Sequence, residues 1–331
     1  MSEGLGRVRS LTRRRRHTMK THLYLLLASA SLAGCSTPAK GALPRTPSPE
    51  ALEASGEDAA GPAAFREGTV RLRTGVDMHY VEQGQAEGPV LVLLHGYTDS
   101  FRSFELVLPV LPRSFHVYAL DQRGHGDSSR PEAGYSQSDY AADVVAFLEA
   151  KGIERAVLVG HSMGSFIAQQ VALEHPGRVE GLVLIGSAPT VAGNPVALEL
   201  KSYVDTLSEP VDAEFVREFQ ASTFFRPIPG SFLDTAVAES LKVPARVWKA
   251  ALDGLIAEDH AARLKDITAP TLVVGGDRDG FFPAAQQQAL AQALPRATLA
   301  LYEETGHAPH VELPHRFVQD VRGFLATLRS K

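Results

Sequence analysis

A serine flanked by glycines is the clearest chemical signal in this chain. The pentapeptide GHSMG at residues 160–164 directly follows a strand-like run, 156–159, and opens a helical pattern. Glycines at this spacing allow a cramped strand-to-helix turn, which exposes the serine hydroxyl above a sheet. Helix capping is the ordinary role for such a serine, but a cap does not require glycine on both sides. The motif therefore predicts Ser162 as a nucleophile.

A serine hydroxyl is a poor nucleophile until a base removes its proton, so a histidine must come from elsewhere in the chain. His307 lies after the last strand-like run, 298–302, and before the C-terminal helical pattern. Its position selects it among the 12 histidines of the chain. We interpret the nearby His310 and His315 as incidental.

The histidine in turn needs a carboxylate that fixes its tautomer and stabilises its charged form. Two candidates follow the buried run 271–274, namely Asp277 and Asp279. Asp277 has an ordinary alternative, because it could cap the turn or pair with Arg278. The sequence therefore favours Asp279.

The negatively charged oxygen of a tetrahedral intermediate needs two hydrogen-bond donors that are already in place. Residues 90–94 form a buried run that ends at His95, and the backbone N–H groups of Tyr97 and Met163 are the predicted donors. We interpret His95 itself and the polar turn at 121–128 as structural.

These residues require a sheet that places strand ends side by side. Short apolar runs alternate with helical patterns at 138–150, 163–174, 284–293 and 314–328. Continuous apolar runs indicate strands buried on both faces, as in a parallel sheet covered by helices. The runs lie at 90–94, 116–120, 156–159, 182–185, 271–274 and 298–302, after a predicted hairpin at 69–83. The fold class is therefore α/β, with ligands expected at the carboxyl ends of the strands.

Residues 187–265 interrupt this alternation, because they contain helical patterns and no strand-like run. A connection this long predicts an inserted helical cap. Several apolar side chains in and near the cap are candidates to line a substrate pocket, although aromatic residues at helical spacing also suit a plain core. They are Phe224, Phe225, Trp248, Leu252, Phe281 and Phe282.

Residues 68–331 resemble the α/β-hydrolase fold superfamily, in its single-domain branch of serine hydrolases with a helical cap. The resemblance rests on His95-Gly96, the turn at 121–128, the GHSMG motif and the Asp279 and His307 pair, in that order. It implies a mostly parallel eight-stranded sheet with helices on both faces, a core of residues 68–186 and 266–331, and a triad of Ser162, His307 and Asp279.

The same resemblance implies hydrolysis of a carboxylic ester or related acyl substrate through an acyl-enzyme. A serine nucleophile argues against haloalkane dehalogenases and epoxide hydrolases, which use a carboxylate. Esterases, lactonases, C–C bond hydrolases, perhydrolases and acyltransferases stay open as alternatives. Two hypotheses fall outside the class of serine-dependent enzymes. One is a ligand-binding module with slow turnover, and the other is a surface lipoprotein with a structural role.

The N-terminal region predicts export and a lipid anchor. Residues 1–34 hold seven basic side chains followed by a short apolar segment, and the segment LAGC ends at Cys35, the single cysteine. This resembles a bacterial lipoprotein signal, in which lipid on Cys35 holds the protein on a membrane. The outer membrane, on its periplasmic face, is expected in a Gram-negative host. Residues 35–67 are rich in Pro, Ala, Gly and Ser and predict a flexible tether.

Composition and charge exclude several other classes of function. The chain carries a net charge of −5, and the part after residue 34 is more acidic, at −11, which does not suit nucleic-acid binding. One cysteine excludes a disulfide framework and a thiolate-rich metal site. No metal-ligand cluster or dinucleotide motif is evident, so the sequence predicts no metal and no cofactor. It leaves the oligomeric state open.

Overall fold

Eight strands form one sheet in the computed structural model, which describes residues 65–329. The strands are β1 (Arg66–Arg71), β2 (Asp77–Gly84), β3 (Val90–Leu94), β4 (His116–Leu120), β5 (Ala156–His161), β6 (Val179–Ile185), β7 (Thr271–Gly276) and β8 (Ala297–Tyr302). Their order across the sheet is β1-β2-β4-β3-β5-β6-β7-β8. Strand β2 runs antiparallel to its neighbours β1 and β4, and the remaining pairs are parallel. This confirms the predicted fold class.

Nine α-helices in the described part of the chain complete the fold. They are α1 (Gln137–Ala150), α2 (Met163–Glu174), α3 (Pro195–Val204), α4 (Ala213–Ala221), α5 (Gly230–Leu241), α6 (Ala245–Ile256), α7 (Ala284–Ala293), α8 (Pro309–Glu312) and α9 (Pro314–Arg329). None of the helices described is both long enough and apolar enough to cross a membrane. The predicted signal peptide, Cys35 and nearly all of the predicted tether lie outside the described residues.

The two faces of the sheet bury separate cores because successive side chains of a strand point to opposite faces. In β3, Val92 and Leu94 join a core that includes residues of α1, α2 and α7. Leu91 and Leu93 join a second core with residues of α9. Burying a Val or Leu side chain contributes about 1.5–3 kcal/mol. A strand such as β3, apolar at every position, is therefore stable only between two helical layers.

The folded region begins slightly earlier than the sequence predicts. The predicted tether extends to residue 67, whereas β1 starts at Arg66, which pairs with Glu82 of β2. The ring of Phe65 also packs edge-on against Phe101, with centroids 5.8 Å apart. Main-chain pairing with β2 and the Phe65–Phe101 contact order these residues, and the Arg66–Glu82 ion pair of 3.0 Å, with Arg66 exposed, adds little. Gly68 lies within β1, and because glycine is uncommon in strands, the sequence does not indicate that the strand begins before it.

Helices α3 to α6 form one continuous insertion between β6 and β7. Helix α6 shows why they pack as a layer, because Trp248, Leu252 and Leu255 recur every three or four residues and are all buried. Side chains of all four helices border the same cavity as the residues that follow β3 and β5. The insertion therefore closes over the carboxyl ends of the central strands.

Candidate active site

Ser162 sits at a strained turn between β5 and α2. Its backbone has φ 50° and ψ −117°, a conformation that side-chain-bearing residues rarely adopt. The turn closes only because the residues two positions before and after the serine, Gly160 and Gly164, lack side chains. A Cβ at Gly160 would overlap the backbone of Gly164, and a Cβ at Gly164 would overlap the Leu94 carbonyl group. The GHSMG motif therefore encodes the geometry that presents the serine at the sheet's edge.

His307 and Asp279 meet at the same edge of the sheet. The His307 Nδ1 atom lies 2.9 Å from Asp279 Oδ2, and both side chains are buried. The carboxylate accepts this bond from the imidazole N–H, which leaves Nε2 with a free lone pair. His307 and Ser162 both line one cavity. The structure thus joins two of the three predicted triad residues, His307 and Asp279, by a hydrogen bond and places Ser162 on the wall of the cavity that His307 also lines.

The structure also shows which of the two acidic candidates, Asp277 or Asp279, contacts the histidine. Asp279 Oδ1 accepts hydrogen bonds from the backbone N–H groups of Phe281 (2.8 Å) and Phe282 (2.9 Å), so its carboxylate is held in one orientation. Asp277 instead accepts a bond of 3.3 Å from the Thr305 N–H and lies 3.7 Å from the Arg278 guanidinium. Asp279 is therefore the acid that contacts the histidine.

The predicted oxyanion donors lie at neighbouring strand ends. Strands β3 and β5 pair in parallel with Leu94 opposite Gly160, so Tyr97 and Met163 both follow the same edge of the sheet. Gly164 packs against the backbone of Leu94 and His95, which holds the start of α2 against this loop. The N-terminus of a helix also favours negative charge. The arrangement suits stabilisation of an oxyanion.

A narrow cavity of about 70 Å³ connects Ser162 and His307 with the cap. Of the predicted lining residues, Phe224, Leu252, Phe281 and Phe282 border it. Further apolar walls come from the cap, and they are Val191, Ala197, Leu200, Phe219, Phe232 and Leu255. The cavity is therefore mainly apolar, with the reactive side chains on its floor.

Two predicted lining residues lie elsewhere. Phe225 is 52% exposed, and the Arg278 guanidinium lies 5.6 Å from its ring centroid. Trp248 is fully buried behind Tyr97, with ring centroids 5.3 Å apart. Phe225 therefore lies on the surface beside Arg278, and Trp248 packs in the core. Trp248 thus fits the core alternative that the sequence leaves open.

The cavity wall also contains polar residues that the sequence analysis did not identify as site residues, among them Asp99, His161 and His310. Burial raises the pKa of Asp99 to about 6 and lowers the pKa of His161 well below its usual value. Burial likewise lowers the pKa of His310 to about 3, so this histidine is neutral. Asp99 stands three residues after Gly96, and a search for polar side chains following β3 could have found it.

The structural interpretation of His95 and the 121–128 turn holds. His95 Nδ1 donates to the Gly96 carbonyl (2.8 Å), and its Nε2 accepts from the Gln122 N–H (3.0 Å). Asp121 accepts from the backbone N–H groups of Phe101 (2.7 Å) and Asp127 (2.9 Å). Both side chains brace the loop that carries Tyr97.

One group of possible metal ligands occurs among residues 65–329, formed by His79, Asp121 and Asp127 within 4.8 Å of one another. His79 Nδ1 lies 2.9 Å from Asp121 Oδ2, and backbone N–H groups engage the rest of that carboxylate. These protein contacts account for the cluster without a metal ion.

Comparison with known proteins agrees with this architecture. A family model described as alpha/beta hydrolase fold matches residues 89–314. The chain is 32% identical over 251 residues to a 2-hydroxymuconate semialdehyde hydrolase of Pseudomonas sp. strain CF600, covering 71% of this chain and 86% of that protein. It is 29% identical over 273 residues to a non-heme chloroperoxidase of Streptomyces lividans, covering 78% and 99%.

A solved hydrolase from Pseudomonas aeruginosa PA01 has the same fold. The two structures align with a TM-score of 0.72 at 27% identity, over 78% of this chain and 98% of the other. The matched region contains Ser162, Asp279 and His307 at the strand ends described above. The chain therefore belongs to the α/β-hydrolase fold family and is an enzyme of the hydrolase class.

Proposed function

We propose that this enzyme cleaves a carboxylic ester or related acyl bond with Ser162 as nucleophile, His307 as base and Asp279 as the carboxylate that orients the histidine. One observation carries the proposal. A buried His307–Asp279 pair, joined at 2.9 Å, lines the same cavity as a serine held at a strained turn. Neither a helix cap nor core packing accounts for that combination.

The reaction follows from the proton positions. Ser162 Oγ bonds to the carbonyl carbon while its proton passes to His307 Nε2. The carbonyl electron pair moves to oxygen, where the Tyr97 and Met163 N–H groups would stabilise the charge. Collapse of this tetrahedral intermediate breaks the ester bond, and the leaving alcohol takes the proton from His307. Water then gives a proton to His307 and attacks the acyl-enzyme, and the second tetrahedral intermediate breaks to release the acid while His307 returns that proton to Ser162 Oγ.

Hydrolysis of p-nitrophenyl esters from acetate to palmitate tests this function. The full-length chain in a mild detergent is compared with Ser162→Ala. We expect sustained turnover by the wild-type enzyme and a loss of at least about a thousandfold in the variant. The chain length that is hydrolysed fastest measures how deep the cavity is. Equal activity of both proteins would refute the serine mechanism, and a single burst without turnover would favour the slow ligand-binding module.

We also propose that lipid on Cys35 anchors the enzyme to a bacterial membrane, on the periplasmic face of the outer membrane in a Gram-negative host. The lipobox-like LAGC sequence after a basic and apolar segment supports this proposal. Cell fractionation tests it, because Cys35→Ser should move the protein out of the membrane fraction. Retention of the variant in membranes would contradict lipid anchoring at this residue.

A further inference from the structure

The backbone carbonyl group of the nucleophile accepts a hydrogen bond from a buried side chain. Ser165 Oγ lies 2.6 Å from the Ser162 carbonyl oxygen, which also accepts the Ser165 N–H at 2.8 Å. A carbonyl oxygen cannot donate, so the single proton of the Ser165 hydroxyl is committed to this bond. The same rigid peptide plane carries the Met163 N–H, which is a predicted oxyanion donor. A group that fixes the carbonyl therefore also fixes the direction of this N–H.

The Ser165 hydroxyl is held in turn by two further side chains. Ser187 Oγ lies 2.7 Å from Ser165 Oγ, and it must donate this bond because Ser165 has no second proton to give. Ser187 has then used its only proton, so it accepts from the Gln169 amide group at 3.1 Å. The NH₂ group of Gln169 therefore faces Ser187, and its oxygen faces the other way.

His260 stands at the far end of this chain of hydrogen bonds. Its Nδ1 atom lies 3.2 Å from Gln169 Oε1 and, because it faces an acceptor, donates a proton there. Its Nε2 atom lies 2.7 Å from Gln170 Oε1, so the ring is held on both sides. The donors thus follow one direction, from His260 to the Ser162 carbonyl, and bonds aligned in this way polarise one another.

The location of the chain separates it from the substrate. Ser165 and Gln169 lie on α2, whereas Ser187 and His260 lie near the two ends of the cap insertion. All four are at most 1% exposed, and none of them borders the cavity around Ser162. Apolar side chains would fill this space without polar groups to satisfy, so packing alone does not explain the chain.

We propose that Ser165 is a positioning residue of the oxyanion hole and that the three side chains behind it hold its hydroxyl in place. The inference rests on the proposed function, with the Met163 N–H as an oxyanion donor. The hydroxyl fixes the peptide plane between Ser162 and Met163, and its bond to the carbonyl makes the N–H of that plane a stronger donor. The chain also connects the oxyanion hole to both ends of the cap.

Ser165→Ala tests this role in the full-length enzyme with p-nitrophenyl butyrate as substrate. The variant loses the donor to the Ser162 carbonyl and keeps every group that borders the cavity. We expect kcat and kcat/KM to fall together by about 10- to 100-fold, with KM changed less than about threefold, because the weakened N–H acts mainly in the transition state.

Inhibition by 1,1,1-trifluoro-2-hexanone gives a readout that a merely structural role would not move. Ser162 Oγ bonds to its carbonyl carbon, the serine proton passes to His307, and the carbonyl electron pair moves to oxygen. No group leaves, so a stable oxyanion remains beside the Met163 N–H. The inhibition constant should therefore rise in Ser165→Ala by about the factor by which kcat/KM falls.

Three further variants complete the experiment. Ser187→Ala interrupts the chain one step behind Ser165 and should cause a loss in the same direction of about three- to tenfold. Ser165→Cys keeps the side chain similar in size with a weak donor, and it should behave as Ser165→Ala does if that variant fails to fold in thermal unfolding. Ser202→Ala removes an exposed hydroxyl from α3 and should leave all constants unchanged.

A parallel loss of kcat/KM and of affinity for the trifluoromethyl ketone supports the assignment. Constants within about threefold of wild type in the Ser165 variants overturn it, and the proposed function stands because wild-type turnover still depends on Ser162. A rise in KM alone, or a lower kcat with an unchanged inhibition constant, overturns it in the same way. Absence of Ser162-dependent turnover in the wild type rejects the proposed function together with this inference.

Discussion

At the scale of single residues, the orientation of His307 depends on a carboxylate that cannot rotate. Asp279 uses one oxygen for two backbone N–H groups and the other for His307 Nδ1. The rings of Phe281 and Phe282 pack on the imidazole, with centroids 4.9 and 5.6 Å away. The imidazole is thereby held with Nε2 free for the serine proton.

Asp279→Asn should preserve the fold and nearly abolish turnover. The amide is the same size, but its NH₂ group favours the wrong tautomer of His307 and cannot stabilise the charged imidazole. We expect kcat to fall by about 10³- to 10⁴-fold, measured on a short-chain ester. Asp277→Asn is the matched control and should stay within about threefold of wild type. A large loss in Asp277→Asn with a small one in Asp279→Asn would reverse the assignment.

Asp99 should make stability depend on pH. Its pKa rises from the ordinary 3.8 to about 6, mainly because burial disfavours the charged form, while Gln220 and His307 partly offset this effect. The folded state therefore binds the proton more tightly than the unfolded state. The resulting destabilisation is complete above about pH 6 and absent below about pH 4.

Asp99→Asn removes this penalty and should raise the Tm at about pH 8 by a few degrees more than at about pH 4, since roughly 1 kcal/mol corresponds to 2–4 °C in a domain of this size. Thermal unfolding of variant and wild type in parallel measures the difference. Identical Tm shifts at both pH values would contradict a raised pKa at Asp99.

At the scale of secondary-structure elements, three cap helices each hold one residue of the loop after β3. The Tyr97 hydroxyl donates to the Trp248 carbonyl of α6 at 2.6 Å. Ser240 of α5 donates to the Thr98 carbonyl at 3.1 Å. Gln220 of α4 links this pair to Asp99, with 2.8 Å to Ser240 Oγ and 2.9 Å to Asp99. The cap therefore positions the predicted oxyanion loop as well as covering the cavity.

Removing this link should affect the chemical step more than binding. Gln220→Leu keeps most of the side-chain volume but loses both hydrogen bonds to the loop. We expect kcat to fall by about 10- to 100-fold with KM changed less than threefold, because a small displacement of the oxyanion donors weakens transition-state contacts.

Gln288→Leu on the exposed face of α7 is the control for the Gln220 experiment and should leave both constants unchanged. Steady-state kinetics on one short-chain ester is sufficient. A rise in KM alone in Gln220→Leu would mean that the residue contacts substrate and does not position the loop.

At the scale of the whole molecule, local patterns predicted most of the sheet and the three triad candidates. Runs such as Val90–Leu94 and the glycine-flanked Ser162 are decided by neighbours in sequence, so they can be interpreted without the fold. The residues of the cavity wall could not be predicted in this way, because they come from distant parts of the chain. Trp248 and Phe225 both leave the predicted cavity lining, Trp248 for the core and Phe225 for the surface, because the packing of the cap decides where each aromatic ring lies. Asp99 likewise becomes part of the cavity wall only when β3 and β5 pair.

The most direct test of the whole account is covalent labelling of the native full-length enzyme with a fluorophosphonate, followed by mass spectrometry of its peptides. An activated serine displaces fluoride and retains the phosphonyl group. We predict one labelled site, Ser162, with no labelling after heat denaturation. Labelling of a different serine in the native protein, or none at Ser162, would contradict the assignment of Ser162 as the nucleophile.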